Sequence, residues 1–139
     1  MPDKAPASPA PLRTLIVDDE PLAIERMRVI CGGLAGIEVI AHALDGAAAL
    51  QEIETSSPDL VLLDMTMPEL DGLSVARALA RRDQAPAVIF VTAHDNFAVE
   101  AFDLDVVDYM LKPVSADRLG RAIAWQKSCM DAARAARGV

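Results

Sequence analysis

Acidic residues follow two apolar segments of this chain, at points where strands are predicted to end. Asp18 and Asp19 come directly after residues 12–17, and Asp64 comes directly after the run at 60–63. A continuous apolar run bounded by turn signals is typical of a buried parallel strand. Ligands bind beyond the carboxyl ends of such strands in open α/β sheets. The sequence therefore predicts a cluster of three acids, with Asp64 at the tip of the central strand.

Two further polar side chains end the later predicted strands. Thr92 closes a strand at 87–92, and Lys112 follows a strand at 106–111. Because the carboxyl ends of parallel strands meet at one edge, a hydroxyl and an ammonium group join the acids there. Three carboxylates so close together resist ionisation unless cations compensate for their charge. Lys112 is one such cation, and a hard divalent ion bound by oxygens, such as Mg²⁺, is the other.

This combination of groups suits the transfer of a phosphoryl group to a carboxylate. Asp64 is the predicted nucleophile, and the product would be an acyl phosphate. The metal ion and the lysine would neutralise charge on the transferring group. Thr92 can donate a hydrogen bond to the new phosphoryl oxygens.

Five strand-and-helix units are predicted to position these residues. The predicted strands lie at 12–17, 37–43, 59–64, 87–92 and 106–111. The predicted helices begin at Pro21, at 46, at 73, at 95 and at 115, and the last two run to about 102 and 136. This alternation predicts an α/β fold, a doubly wound five-stranded parallel sheet in the order 2-1-3-4-5. In that order strands one and three are neighbours, so the three acids fall together.

Length and composition limit the class of protein. The 139 residues, 53% of them hydrophobic, suffice for one domain with one sizeable core. The net charge of −8 argues against nucleic acid as a direct partner of this chain. No apolar run approaches the roughly 20 residues of a membrane span, and no secretory signal is present. Two cysteines without paired ligand spacing argue against zinc and fit a reduced, cytoplasmic setting.

The ends of the chain differ from its middle. Residues 1–11 contain four prolines and are predicted to be a disordered tail. The domain is predicted at 12–130, and 131–139 would be an extension of the last helix or a linker. Trp125 on that helix has two open interpretations, packing at the helix edge or contact with a partner.

Taken together, the motifs resemble a known family. Asp18-Asp19, Asp64, Thr92-Ala93 and Lys112-Pro113, with Met-Pro-Glu-Leu-Asp-Gly at 67–72, resemble the receiver domain of bacterial two-component response regulators. The resemblance covers about residues 12–130. It implies the flavodoxin-like receiver fold and a role in signalling.

The resemblance implies a metal site around the phosphoacceptor. Asp64 would accept the phosphoryl group and contact Mg²⁺. Asp19 would bind the ion directly, and Asp18 mainly through metal-bound water. The backbone carbonyl of Thr66 would be the third protein ligand.

The resemblance also implies groups that respond to the phosphoryl group. Thr92 and Tyr109 would be the switch pair, in which the hydroxyl moves toward the phosphoryl group and the ring turns inward. Lys112 and Ala93 would contact the phosphoryl group. The Lys112–Pro113 bond would be cis, which proline permits at modest cost.

A receiver of this kind implies particular partners. It would take its phosphoryl group from a sensor histidine kinase or a phosphotransfer protein, and would act as an enzyme only on itself. The face formed by the fourth helix, the fifth strand and the last helix would change and could form a homodimer. Segments 92–102 and 108–114 are similar to receivers with a LytTR-type DNA-binding domain, for which 139 residues leave no room. A stand-alone receiver and a fragment of a longer regulator both stay open.

Two other functions use similar features. A phosphatase of the haloacid dehalogenase type also has a strand-end aspartate nucleophile, but it needs a second acid two residues later, where Thr66 stands. A nucleotide- or flavin-binding module needs glycines after the first strand, where Asp18 and Asp19 stand.

Overall fold

One parallel sheet forms the centre of the structure, a computed structural model that describes residues 10–93 and 106–137. Its strands are β1 (Leu12–Val17), β2 (Ile37–Ala43), β3 (Leu60–Leu63), β4 (Ala87–Thr92) and β5 (Asp108–Leu111). They lie in the order β2-β1-β3-β4-β5, and every neighbouring pair is parallel. The predicted α/β fold class and strand order are confirmed.

Four helices connect or follow these strands in the described ranges. They are α1 (Pro21–Gly32), α2 (Gly46–Ser56), α3 (Gly72–Ala80) and a C-terminal helix (Ala116–Arg137). The helix predicted at 95–102 lies outside the described residues, as do residues 1–9 of the predicted tail. No helix among those described is both long and apolar enough to span a membrane.

Side-chain caps determine where several of these helices begin. Asp45 Oδ1 accepts the N–H of Ala48 at 2.7 Å, and Asp71 Oδ1 accepts the N–H of Ser74 at 2.8 Å. Each such cap typically contributes about 1 kcal/mol to helix stability. In both places a glycine follows the capping aspartate and is the first residue of the helix. The starts of α2 and α3 therefore share an Asp-Gly pair.

Alternation along the strands divides the core between the two faces of the sheet. Leu15 and Val17 of β1 belong to the cluster under α2 and α3, whereas Leu12 and Ile16 belong to the cluster under α1 and the C-terminal helix. All four residues of β3 are at most 1% exposed. A strand covered on both faces explains the continuous apolar run that precedes Asp64.

The central strand is shorter than predicted at both ends. Asp59 lies just before β3, and its Oδ2 accepts the N–H of Arg13 in β1 at 2.9 Å. Asp64 lies just past the strand, in the loop that leads to α3. β5 begins at Asp108 rather than at 106, although the N–H of Val107 still donates to the Val88 carbonyl at 2.8 Å.

The C-terminal helix continues without a break past residue 130, where the predicted domain boundary lies. Near its end, Arg134 Nη2 lies 3.8 Å from Asp59 Oδ1, at the start of β3. Trp125 is 68% exposed, so most of its ring does not pack at the helix edge. Contact of Trp125 with a partner stays a prediction.

Candidate functional site

The predicted site residues stand at the carboxyl ends of β1, β3 and β5, where backbone bonds fix them. The N–H of Asp18 donates to the Ala43 carbonyl at 3.1 Å, and the N–H of Asp64 donates to the Val17 carbonyl at 3.0 Å. The N–H of Lys112 donates to the Thr92 carbonyl at 2.7 Å. The backbone hydrogen bonding between strands thus continues to the predicted site residues, and their positions follow from the strand order.

Three carboxylates lie together at this edge. Asp18, Asp19 and Asp64 each offer one ligand oxygen, and these atoms are all within 4.8 Å of one another. Asp18 and Asp64 are buried, whereas Asp19 is exposed. Hard divalent cations prefer carboxylate oxygens, and Mg²⁺ commonly keeps several water ligands beside one or two carboxylates. The donor set therefore fits Mg²⁺, with the exposed side left for water and a phosphoryl oxygen.

Lys112, which directly follows β5, adds a positive charge to the cluster of acids. Its Nζ lies 2.6 Å from Asp18 Oδ2 and 4.0 Å from Asp64 Oδ1. The other oxygen of Asp18 accepts the N–H of Glu20 at 3.0 Å. Asp18 is thereby held between a side-chain cation and a backbone donor, and it in turn holds the ammonium near Asp64.

The carboxyl group of Asp64 is unusually basic. Burial raises its pKa from the ordinary value of 3.8 to about 6, and the neighbouring charge of Asp18 adds to the increase. The Lys112 ammonium and the backbone N–H of Thr66 lower the pKa, and Asp19 raises it slightly. A cation beside the acids would favour the ionised form, in which Asp64 is a nucleophile.

The loop after Asp64 leaves Thr66 exposed. Met65 and Met67 on either side are 2% and 6% exposed, so they anchor the loop in the core. The N–H of Gly72 donates to the Met65 carbonyl at 3.0 Å and closes the loop. Glu69 takes the left-handed conformation, with φ of 67°, where the chain turns toward α3.

Two glycines permit the close packing of this loop, and neither was predicted as a site residue. A Cβ at Gly72 would lie 2.1 Å from the carbonyl oxygen of Asp64. A Cβ at Gly46 would lie 2.5 Å from the carbonyl oxygen of Leu70. The Asp-Gly pairs at 45–46 and 71–72 indicate helix starts in the sequence, but neither pair shows that a carbonyl oxygen from another segment lies so close to the glycine.

The predicted switch residues occupy neighbouring strands. Thr92 is fully buried at the end of β4, and Ala93 after it is exposed. Tyr109 is partly buried on β5, with its ring centroid 6.3 Å from that of Phe90 and the ring planes at 59°. The Lys112–Pro113 bond is cis. The structure thus brings the acids and Lys112 into one cluster, with Thr92 joined to it through the backbone of Lys112.

Comparison with known proteins agrees with this geometry. The family model for the response regulator receiver domain matches residues 14–124. A positive alginate biosynthesis regulatory protein of Pseudomonas aeruginosa is 50% identical over 113 residues, which cover 81% of this chain and 46% of that protein. The sensory transduction protein LytR of Staphylococcus haemolyticus is 39% identical over 112 residues, which cover 81% and 44%.

Solved structures give the same result. The response regulatory domain of MrkE from Klebsiella pneumoniae superposes with a TM-score of 0.80 at 28% identity, covering 86% of this chain and 98% of that one. The receiver domain of NarL from Mycobacterium tuberculosis superposes with a TM-score of 0.79 at 30% identity, covering 86% and 98%.

The share of each matched protein that this chain covers differs between the two kinds of comparison. The chain spans less than half of the curated relatives named above, but nearly the whole of the isolated receiver structures. The part matched by the family model contains all of the predicted strand-end site residues: Asp18, Asp19, Asp64, Thr92 and Lys112. The chain belongs to the response regulator receiver domain family of two-component signal transduction.

Proposed function

We propose that this receiver accepts a phosphoryl group on Asp64, with Mg²⁺ held by Asp18, Asp19, Asp64 and the backbone carbonyl of Thr66. One observation carries the proposal: the ammonium of Lys112 and three carboxylates meet at the end of β3, with Asp64 of raised pKa among them. A bound divalent ion would supply charge neutralisation for the phosphoryl oxygens.

The chemistry assigned to the chain's own residues is one displacement at phosphorus. An oxygen of ionised Asp64 attacks, the new O–P bond forms, and the P–N bond of a phosphohistidine donor breaks. The departing imidazole keeps the electron pair of that bond and takes a proton from solvent. Lys112, now 4.0 Å from Asp64, pairs with a phosphoryl oxygen, and the Thr92 hydroxyl donates to another.

The donor is proposed to be a sensor histidine kinase or a phosphotransfer protein, as membership in the family supports. The receiver then acts only on its own aspartate and does not turn over a separate substrate. Cytoplasmic location follows from this proposal, since a kinase that uses ATP works there. Movement of Thr92 and Tyr109 would alter β5 and the C-terminal helix, the described part of the face proposed for a homodimer.

The experiment compares wild type with Asp64→Asn. Purified protein is incubated with acetyl phosphate and Mg²⁺, and its intact mass is followed with time. Wild type should gain the mass of one phosphoryl group, and Asp64→Asn should gain none. Asp83→Asn, at an exposed position in the α3–β4 loop, is the matched control and should behave as wild type. Phosphorylation of Asp64→Asn at the wild-type rate contradicts the proposal.

A second candidate concerns the larger protein, and the lengths of the relatives favour it. The matched part is 46% of the alginate regulator and 44% of LytR, so more than half of each lies outside the match. On this interpretation the domain is the receiver part of a LytTR-type transcription regulator. Sequencing the gene beyond the Val139 codon tests it. An open reading frame for roughly 100 further residues supports it, and a stop codon at that point contradicts it.

A further inference from the structure

Arg118 joins the C-terminal helix to β5 by two hydrogen bonds from one nitrogen. Its Nη2 donates to Asp108 Oδ1 at 3.1 Å and to the carbonyl oxygen of Tyr109 at 3.0 Å. The backbone N–H of Arg118 donates to the Ser115 Oγ at 3.3 Å, in the turn that begins the helix. The guanidinium therefore extends from a capped helix end to the first two residues of the strand.

Asp108 completes this contact on the strand side. The same Oδ1 that accepts from Arg118 also accepts the N–H of Tyr109 at 2.7 Å. The N–H and the C=O of Tyr109 are thus both bonded to the Asp108–Arg118 pair. The backbone on either side of the Tyr109 ring is held relative to the C-terminal helix by these bonds.

β5, the strand that contains Asp108 and Tyr109, is short and lies at the edge of the sheet, so side-chain contacts help to hold it in position. β5 has four residues, and in the sheet it pairs with β4 alone. Few ladder bonds hold a short edge strand, so it can shift locally at low cost. Lys112 follows β5 directly, three residues after Tyr109, and its side chain reaches Asp18 and Asp64. A displacement of the backbone at Tyr109 would therefore also move Lys112 relative to the acids.

We propose that Arg118 is a positioning residue that couples the C-terminal helix to Tyr109 and Lys112, and through them to phosphorylation of Asp64. The proposal rests on the function proposed above. Arg118 and Asp108 are 48% and 35% exposed, and exposed ion pairs contribute little to the free energy of unfolding. The Arg118–Asp108 pair therefore acts on the position of β5. Because both side chains are exposed, a partner that binds the C-terminal helix can influence the acidic site through them.

The test uses the single tyrosine of the chain as a reporter. Protein labelled with 3-fluorotyrosine carries the label at position 109 only, and its ¹⁹F resonance is recorded without metal or phosphoryl donor. Arg118→Ala should shift or broaden that resonance. It should also slow phosphorylation by acetyl phosphate with Mg²⁺ roughly three- to tenfold, since misplacement of a charged group reduces rate. The melting temperature should stay close to that of wild type.

Two variants separate positioning from loss of charge. Arg121→Ala removes a positive charge from an exposed position three residues further on. Within the described ranges Arg121 forms no hydrogen bond or ion pair, so this variant should leave the resonance and the rate unchanged. Arg118→Lys keeps a donor for the Tyr109 carbonyl and should restore part of the rate. If wild type is phosphorylated and Arg118→Ala matches Arg121→Ala in both measurements, this proposal is overturned alone. A wild-type chain that takes no phosphoryl group overturns the proposed function together with this coupling.

Discussion

Lys112 Nζ lies 2.6 Å from Asp18 Oδ2, although 94 positions separate the two residues in the chain. The pair closes the site from opposite sides of β3, because β1 and the β4–β5 half of the sheet flank that strand. At 26% and 8% exposure, these side chains interact in a poorly solvated place, where charges act more strongly than at the surface. Asp18 thus holds the ammonium near Asp64, where the proposed phosphoryl transfer would use it.

Substitution of Lys112 should therefore slow the transfer. Lys112→Ala removes the cation that faces the transferring group, and loss of one preorganised charge typically costs on the order of 10²-fold in rate. Initial rates of phosphorylation by acetyl phosphate, followed by intact mass, measure the effect. Lys112→Arg, which keeps the charge, should recover part of the rate. A Lys112→Ala protein as fast as wild type would remove Lys112 from the mechanism.

The raised pKa of Asp64 predicts how stability depends on pH in the absence of metal. The folded value is about 6 and the ordinary value is 3.8, so between these the folded state binds more protons than the unfolded state. Stability attributable to Asp64 is complete below pH 3.8 and is lost as pH rises through about 6. The shift corresponds to at most about 3 kcal/mol.

Asp64→Asn tests this sign, because it removes the titrating group. In EDTA, its free energy of unfolding should exceed that of wild type at pH 7, and the difference should shrink as pH approaches 4. Urea unfolding across this range gives both values. Asp83→Asn at its exposed loop position is the control and should track wild type at each pH. If the free energy of unfolding of wild type instead rises relative to that of Asp64→Asn between pH 4 and pH 7, the pKa of Asp64 is not raised and burial is not the dominant effect on it.

Metal should stabilise the fold for the same electrostatic reason. A ligand that binds only the folded state at 100 times its Kd adds about 2.7 kcal/mol. The melting temperature should rise between EDTA and millimolar Mg²⁺, and the rise should disappear in Asp19→Asn, which loses an exposed acid of the cluster. A melting temperature unaffected by Mg²⁺ in wild type would count against the metal site.

The position of the strand-end acids, Thr92 and Lys112 at one edge of the sheet was predictable from the sequence, for a physical reason. Apolar runs report burial on both faces, and parallel strands must end at one edge, so Asp18 and Asp64 could be placed together without coordinates. The order of strands then brought Lys112 to the same edge. These inferences need only local patterns and the topology of the fold.

Contacts between separate elements of the fold were not predictable in that way. The approach of Gly46 to Leu70 and the bonds of Arg118 to Asp108 and Tyr109 depend on the final packing of whole elements. No local pattern records that a Cβ at Gly46 would meet a carbonyl oxygen. The left-handed Glu69 is a further case, since glutamate has no special preference for that conformation.

Gly72, the first residue of α3, offers the sharpest test of this packing. Gly72→Ala would place a Cβ 2.1 Å from the Asp64 carbonyl oxygen and 2.8 Å from the Met65 Cα, both backbone atoms that cannot rotate away. Either α3 or the end of β3 must move, and such overpacking typically costs 1–3 kcal/mol, roughly, in unfolding free energy. Because Asp64 and Thr66 lie on the displaced segment, the Mg²⁺-dependent rise in melting temperature should also fall.

A matched substitution in α1 separates this effect from the chemistry of glycine itself. Gly32→Ala places its Cβ in open space, with nothing within 4 Å, and alanine in a helix is favoured over glycine by up to about 1 kcal/mol. Urea unfolding should therefore show a neutral or more stable Gly32→Ala and a destabilised Gly72→Ala. Equal free energies of unfolding for the two variants would mean that β3 and α3 can move apart without loss of stability. In that case the close approach at Gly72 would not hold Asp64 in place.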